Sequence, residues 1–412
     1  MRHDDPRLPT SPGFWRSPLR GTWFTSVLGL VLLVGITVLF VTGLVSYAAY
    51  NPNLAPVNDQ TPDKGILGFY LFSWPTDPYW LYRLTQGLHV TLGVTLIPVL
   101  LAKLWSVVPK LFTLPPARSL THALERISLL LLVGGGLFEF TTGVLNVQLD
   151  YVFPGSFYPL HFYGAWVFFA AFLAHAALKT PTALRAVRHL RRDEGELAPA
   201  RPDAPTVSRR GALWFVGGAS LLLLVTTAGQ SIGGALRRTA LLAPHGGADP
   251  GSGPNGFQIN KTAAYAGIDA RTTGGDAWRL TVTGRDGRTV RLSRADLLAL
   301  PQHSAALPIA CVEGWSTADQ WWRGVRLRDL AALVGHDGDP PDVLVESIQL
   351  HGAFRRAALR ANQVADPRSL LALTVNGEDL SPDHGYPARV IVPAAPGVLN
   401  TKWVARMTFG DL

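Results

Sequence analysis

Apolar residues are unevenly spread along the chain. Before residue 230 they gather in runs much longer than a core helix needs; after it they shorten and alternate with polar positions. About 20 apolar residues cross a bilayer. Five stretches approach or exceed that length, at 24–49, 84–105, 127–147, 158–178 and 211–229, and they predict five transmembrane helices. The first is too long, and too far from an A-x-A pattern, to read as a removable signal peptide. Past residue 256 the period changes. The β-like runs WRLTVTG, RTVRLS, VLVESIQL and ARVIVPA alternate with the helical stretches RADLLALP and RLRDLAALVG. That order predicts an α+β domain rather than a βαβ series, and about 155 residues suffice to bury a core.

Charge changes the picture once its positions are read. A net charge of +8 alone suggests a nucleic-acid or membrane-surface partner. Arg2, Arg7, Arg16 and Arg20 precede the first run, however, and Lys103, Lys110, Arg118 and Arg126 follow the second. The segment 179–210 is denser still, with Lys179, Arg185, Arg188, Arg191, Arg192, Arg201, Arg209 and Arg210. By contrast, 148–157 has no basic residue and 50–82 has only Lys64. Short loops rich in Lys and Arg stay in the cytoplasm. The pattern therefore predicts a cell-membrane protein with no nucleic-acid partner. The expected map is a cytoplasmic tail (1–22), a four-helix membrane domain (23–182), a basic cytoplasmic loop (183–210), a fifth helix (211–229), a Gly/Pro-rich linker (230–255) and an extracytoplasmic domain (256–412).

Candidate chemistry centres on LPIACVEGWS, which holds Cys311, the single cysteine of the chain. An external domain is where disulfides are expected, yet one cysteine cannot form one within the chain. Three readings follow: a buried inert thiol, a nucleophile activated by a nearby His, or a soft thiolate ligand. One thiolate is too few for a zinc or iron–sulfur site, so a metal would need its other ligands from a cofactor. No GxGxxG or P-loop is present, which argues against dinucleotide or NTP binding.

The residues around Cys311 carry a resemblance. Cys311-Val312-Glu313-Gly314-Trp315-Ser316, then Trp322-x-Gly324-Val325-x-Leu327-x-Asp329-Leu330, is similar to the signature of the molybdopterin-binding oxidoreductase domain of the sulfite oxidase superfamily. So are Asn376-Gly377-Glu378-x-Leu380, His384-Gly385-x-Pro387-x-Arg389-x-x-Val392-Pro393 and Lys402-Trp403, in the family's order. The CVEGWS form most resembles the branch of the periplasmic methionine sulfoxide reductase catalytic subunit. The resemblance implies an enzyme in which Cys311 coordinates molybdenum beside the dithiolene sulfurs of molybdopterin. It further implies that Asn260, Lys261, His384, Arg389 and Lys402 hold the pterin and its phosphate. Where the sulfite-oxidising branch tends to have Asp-Gly-Tyr, this chain has His351-Gly352-Ala353. The Arg-rich anion pocket after that branch's cysteine is missing, and Val398-Leu399-Asn400-Thr401 precedes Lys402 without a basic residue. These departures point away from sulfite and toward a small uncharged S-oxide or N-oxide. Trp315, Trp321, Trp322 and Phe354 either line the substrate pocket or fill the core.

Molybdenum chemistry moves two electrons, so the membrane half becomes relevant. His89 (LTQGLHVTLG) and His161 (YPLHFYGAW) lie near the external starts of the second and fourth runs. Intramembrane histidines default to function. With a general similarity to four-helix cytochrome b subunits, they are expected to clamp one haem b. Arg83 is a candidate partner for a haem propionate, and Glu139 for quinone-linked proton transfer. His175 follows His161 by 14 residues, about 21 Å along a helix, the spacing of a second haem. The equivalent position after His89 is Lys103, which favours one haem and leaves His175 a candidate polar contact. Ser208-Arg209-Arg210 before the fifth run resembles a twin-arginine export signal. The expectation is an oxidoreductase linking a quinone and haem module to an external molybdopterin site. Alternatives are substrate oxidation feeding quinone, or a cofactor-free binding or assembly protein.

Overall fold

The computed structural model describes residues 7–59, 61, 72–112, 119–147, 157–188, 199, 202–243, 254–274 and 277–412. The sequence expectations for residues 148–156, for most of the basic loop after Arg188 and for the centre of the Gly/Pro-rich linker (244–253) lie outside the described residues, as do Lys64 and Arg118.

Five long helices form where long apolar runs were read: α1 (Thr22–Ala48), α2 (Leu81–Leu111), α3 (Leu120–Asn146), α4 (Tyr158–Arg188) and α5 (Arg209–Ile232). Each contains a stretch long and apolar enough to cross a membrane. Most helices overrun their apolar runs, because hydropathy marks what lipid tolerates whereas the hydrogen-bond ladder continues into polar turns. The widest overrun is in α4, which reaches Arg188 although its apolar run stops at 178.

Two compact units are present. The first comprises Met1–Val41, Thr91–Asn146 and Phe157–Val225, and the second Thr42–Val90, Val147–Ser156 and Thr226–Leu412. In the first unit Phe24, Leu28, Leu32 and Ile36 recur every fourth residue on one face of α1 and pack with Leu96, Val99, Leu100, Phe168 and Phe172. Phe40 stacks on Phe169, with ring centroids 3.7 Å apart.

The second unit contains two sheets. The strands are β1 (Leu280–Thr283), β2 (Thr289–Leu292), β3 (His303–Leu307), β4 (Gln320–Arg326), β5 (Val343–Ser347), β6 (Arg356–Leu359), β7 (Leu370–Val375), β8 (Glu378–Asp379), β9 (Arg389–Ile391) and β10 (Val404–Phe409). One sheet runs β2-β1-β10-β5-β6, with β1 and β10 parallel and the other pairs antiparallel. The other runs β3-β4-β7-β8, with β9 added on β7. Short helices α6 (Ala270–Thr273), α7 (Arg294–Ala299), α8 (Leu327–Ala332) and α9 (Ala361–Ala365) intervene. The α+β expectation matches this element order. Local chemistry explains the boundaries: Ser293 and Asp296 form a capping box that starts α7. Asn376 and Gly377 both take positive φ, the requirement of the tight turn between β7 and β8. Leu280, Val282, Val345, Leu371, Val390 and Met407 belong to the largest core cluster.

The connection from α1 to α2 is part of the second unit. Asn51 donates to the Ala358 carbonyl (3.0 Å) and to Gln363 (2.8 Å), Asn58 accepts from Ala358 N, and the Trp74 indole donates to the Ala394 carbonyl (2.7 Å). Arg368 bridges Asp366 and Asp77 at 2.7 and 2.9 Å. The sequence reading of 50–82 as a segment with one basic residue does not show these anchors, because each is a single polar side chain without periodicity.

Candidate functional site

Cys311 sits on the loop between β3 and β4, buried to 2% exposure in a cluster with Phe257, Trp315 and Trp322. Its thiol donates to Glu313 Oε2 at 3.2 Å, and the Trp315 indole donates to the same oxygen at 2.8 Å. Burial, and next the Glu313 carboxylate, push the thiol's pKa well above the ordinary range. The protein alone therefore keeps a neutral thiol here, which removes the activated-nucleophile reading. A thiolate at this position needs a metal cation to hold it.

Of the residues singled out beside Cys311, Asn260 touches it and the others bond around it. Asn260 Nδ2 lies 3.5 Å from Cys311 Sγ. The Lys402 ammonium donates to the backbone carbonyls of Lys261 (2.6 Å) and Asp383 (2.8 Å), while the Lys261 ammonium lies over the Tyr265 ring at 4.6 Å. Arg389, on β9, donates to the carbonyls of His384 (3.0 Å) and Asn400 (3.1 Å) and lies over the Trp322 ring. His384 packs on Phe257 with centroids 3.8 Å apart, its Nδ1 3.1 Å from Ser381 Oγ. Gly385, with φ +111°, makes this closeness possible: a Cβ there would stand 3.0 Å from Lys402 Cβ and 3.1 Å from Arg389 Cβ. Trp403 also has positive φ, a conformation costing on the order of 1–3 kcal/mol for a bulky residue. It fixes where Lys402 stands, and its indole donates to the Pro382 carbonyl at 2.8 Å.

The electrostatics are unbalanced. Arg389 is buried and Lys402 half-buried, and both are hydrogen-bonded to backbone carbonyls rather than to carboxylates. Burial lowers the Arg389 guanidinium to about 9, and burial with the nearby Arg389 charge lowers Lys402 to about 7. Burial and then Arg389 hold His384 neutral, at about 3. Around them several buried polar atoms have no protein partner: Gln258 Nε2, Asn260 Oδ1, Arg389 Nε, Asn400 Nδ2 and Thr401 Oγ1. Buried cations and orphaned donors are costly unless a ligand answers them. An anionic, polar-edged molecule fits this set. Gln258, Asn400 and Thr401 escaped the sequence reading because they carry no charge or motif of their own; proximity to Asn260 and Lys402 in the chain was the only signal.

Trp315 and Trp322 are buried in the core, with the Trp322 indole donating to the Leu307 carbonyl. Trp321 is exposed and Phe354 half-buried. Among the described residues no group of three or more His, Cys, Asp and Glu could hold a metal ion.

The helical candidates have distinct surroundings. In the second unit, His89 Nδ1 lies 3.1 Å from Thr42 Oγ1, and the ring packs on Gly43. In the first unit, His161 Nδ1 lies 3.0 Å from Thr142 Oγ1 and 3.2 Å from Glu139 Oε2, and the ring packs on Gly143. Thr142 donates its own hydroxyl to the Phe138 carbonyl, so it accepts from His161, which assigns the proton to Nδ1. Glu139 and His161, singled out for separate roles, are thus one polar pair. Arg83 donates to the carbonyls of Ser231 (2.9 Å) and Ile232 (2.7 Å), satisfying the open C-terminus of α5. His175 is half-buried on α4, and Lys103 donates to the Thr25 carbonyl at 2.7 Å.

Residues 267–411 match the oxidoreductase molybdopterin binding domain family. An uncharacterised oxidoreductase of Bacillus subtilis, YuiH, is 32% identical over 132 residues, covering 32% of this chain and 65% of the relative. Mitochondrial sulfite oxidase of Rattus norvegicus is 30% identical over 168 residues, covering 32% of this chain and 29% of the relative. The chain therefore spans less than two thirds of either relative's length. Among solved structures, the sulfane dehydrogenase SoxCD of Paracoccus pantotrophus aligns with a TM-score of 0.30 and 24% identity over 33% of this chain and 39% of that one, a likeness too distant to bear on the site. The likeness to oxidoreductase molybdopterin-binding domains, a sulfite oxidase among the relatives, thus lies in the C-terminal part of the chain.

Proposed function

We propose that the protein is a membrane-bound molybdenum oxidoreductase that removes oxygen from a small S-oxide or N-oxide outside the cytoplasm, with electrons supplied by quinol through one haem b. The observation that carries the cofactor assignment is a pair of cations, buried Arg389 and half-buried Lys402, hydrogen-bonded only to backbone carbonyls and ringed by orphaned polar atoms beside a buried thiol. An anionic pterin phosphate answers the charge, and its polar ring answers the donors. Cys311 would ligate molybdenum, and Asn260, Lys261, His384, Arg389 and Lys402 would hold the pterin. When bound, the cofactor supplies two-electron oxygen transfer.

The balanced reaction is R₂S=O + 2e⁻ + 2H⁺ → R₂S + H₂O, or its N-oxide equivalent. What the chain contributes is a dry ligand loop, fixed by Trp315 and Glu313, and a neutral His384 that donates or accepts without adding charge. The lack of a basic residue between Val398 and Thr401 supports an uncharged substrate over sulfite. For the haem, the support is local. Each of His89 and His161 is held through Nδ1 by a threonine and faces a glycine, so Nε2 is the nitrogen such a ring would offer to iron. The five apolar helices and the alternation of basic loops support insertion with the N-terminus inside.

Metal analysis and a dye-linked assay on membranes holding the protein test this reading. Molybdenum and a reduced-minus-oxidised b-type band are expected, with S-oxide or N-oxide oxidising a reduced dye. Absence of molybdenum overturns the enzyme reading; substrate-driven reduction of the dye instead reverses the direction.

A further inference from the structure

The loop that presents Cys311 is held by its own domain and also by the ends of two of the long helices. Gln86 Nε2, in the second turn of α2, donates to the Val312 carbonyl at 2.5 Å. Ser231 Oγ, at the end of α5, donates to the Gly314 carbonyl at 2.5 Å, and Ser231's own carbonyl accepts from Ser316 Oγ at 3.1 Å. Ser316 N donates to the Gln230 carbonyl, and Arg237 to the Ser316 carbonyl. The fit leaves no room for side chains. A Cβ on Gly87 would stand 2.7 Å from Ser231 Cβ, and one on Gly314, whose φ is +88°, would stand 2.6 Å from Val90 Cβ. All these residues lie in the second unit.

A domain that needed only its own core to shape a ligand loop would leave the Val312 and Gly314 carbonyls to water or to its own backbone. Here both are taken by side chains of α2 and α5, one and three residues after the thiol. The same turn of α2 continues to His89, three residues after Gln86.

We propose that Gln86 and Ser231 are positioning residues for the Cys311 thiolate: the ends of α2 and α5 set the geometry at which the domain presents its sulfur to the metal. The proposal rests on Cys311 being the molybdenum ligand. It makes the first turns of α2 and the last turn of α5, both in the second unit, a structural component of the metal site. It also gives a continuous path, covalent except for one hydrogen bond, from Cys311 through the Val312 carbonyl and the Gln86 side chain to the helix turn bearing His89.

The test uses the full-length protein, purified in detergent with its cofactor. Gln86→Met keeps side-chain length and removes the donor, and Ser231→Ala removes the hydroxyl. Both variants are expected to retain wild-type molybdenum content while shifting the g values of the Mo(V) resonance. Amide exchange across 311–316 is expected to quicken about fivefold, the change that loss of one net hydrogen bond produces. Tyr79→Phe removes a different bond between the α1–α2 connection and the domain, to Asp319, and is expected to leave the resonance unchanged. Mo(V) signals that superimpose on wild type in whichever of the two variants accumulates overturn the proposal, as does a shift of equal size in Tyr79→Phe. A wild-type protein without molybdenum sinks the underlying reading instead. In that case, unchanged exchange at 311–316 in the variants separately refutes the clamp.

Discussion

Around Cys311, Arg389 and Lys402 are held by backbone carbonyls with no carboxylate hydrogen-bonded to either, whereas within the helices the polar groups answer one another: His161 meets Glu139 and Thr142, and His89 meets Thr42. The difference separates a site that waits for a ligand of opposite charge from sites that hold a ring in place. In the first, stability of the empty protein is sacrificed to affinity. In the second, each ring's Nδ1 already has a partner, and a metal would be gained at the other ring nitrogen.

Breaking the sulfur contact is expected to have the largest effect. Cys311→Ser replaces a soft ligand by a hard one and should abolish oxide reduction, exceeding the roughly 10- to 100-fold loss typical of residues behind a metal ligand. Dye-linked activity per molybdenum checks it; retained activity would sink the ligand assignment.

The charge imbalance predicts a crossed result for Lys402→Met. In the cofactor-free protein the substitution removes a half-buried cation and should stabilise by about 1–4 kcal/mol, read by denaturant unfolding. In the loaded protein it should lower cofactor retention roughly 10- to 100-fold. Its pH dependence has a definite sign. Lys402 titrates near about 7 in the folded protein against about 10.4 in an unfolded chain. Between those values the unfolded chain binds the extra proton, so stability of the cofactor-free protein rises with pH. Lys402→Met should flatten that rise.

For the helices, His89→Ala and His161→Ala are each expected to remove the b-type band without changing molybdenum content. That outcome would separate the two kinds of site experimentally. Loss of molybdenum in His89→Ala alone would show instead that the turn after Gln86 reports only on the clamp.

The parts legible in the sequence were those with a period or a charge. Long apolar runs announced α1 to α5, alternation announced the strands, Cys311 stood out as the single cysteine, and Arg389 and Lys402 were marked by the family resemblance. What sequence could not carry was pairing across distance. Gln86 bonding Val312 joins residues 226 apart, and Asn51 bonding Gln363 joins residues 312 apart. Neither polar residue interrupts a pattern, so neither stands out. The neutral state of His384 and the high pKa of the Cys311 thiol arise from burial by Phe257, Trp315 and their neighbours, a three-dimensional property. The joining of Glu139 to His161 needed the packing of α3 on α4. Helical spacing gives each residue's place on its own helix and says nothing of which face meets which.

That last pair supplies the finest test of the comparison. His161 Nδ1 has two acceptors, Thr142 Oγ1 at 3.0 Å and Glu139 Oε2 at 3.2 Å. If the helical site exists to hold one ring in one tautomer, either acceptor alone suffices. Thr142→Val and Glu139→Ala each remove one acceptor and leave the other, so each single change should cost haem retention less than about tenfold, the lower end for partners of a metal-bound histidine. The combination Thr142→Val with Glu139→Ala leaves Nδ1 without a partner and should cost more than the two single losses multiplied, because both act on the same proton. Haem content after equal washing in detergent measures all of the variants. Additive losses would mean that Thr142 and Glu139 act on different groups, and the contrast with the charge-starved cradle around Cys311 would then rest on His89 and Thr42 alone.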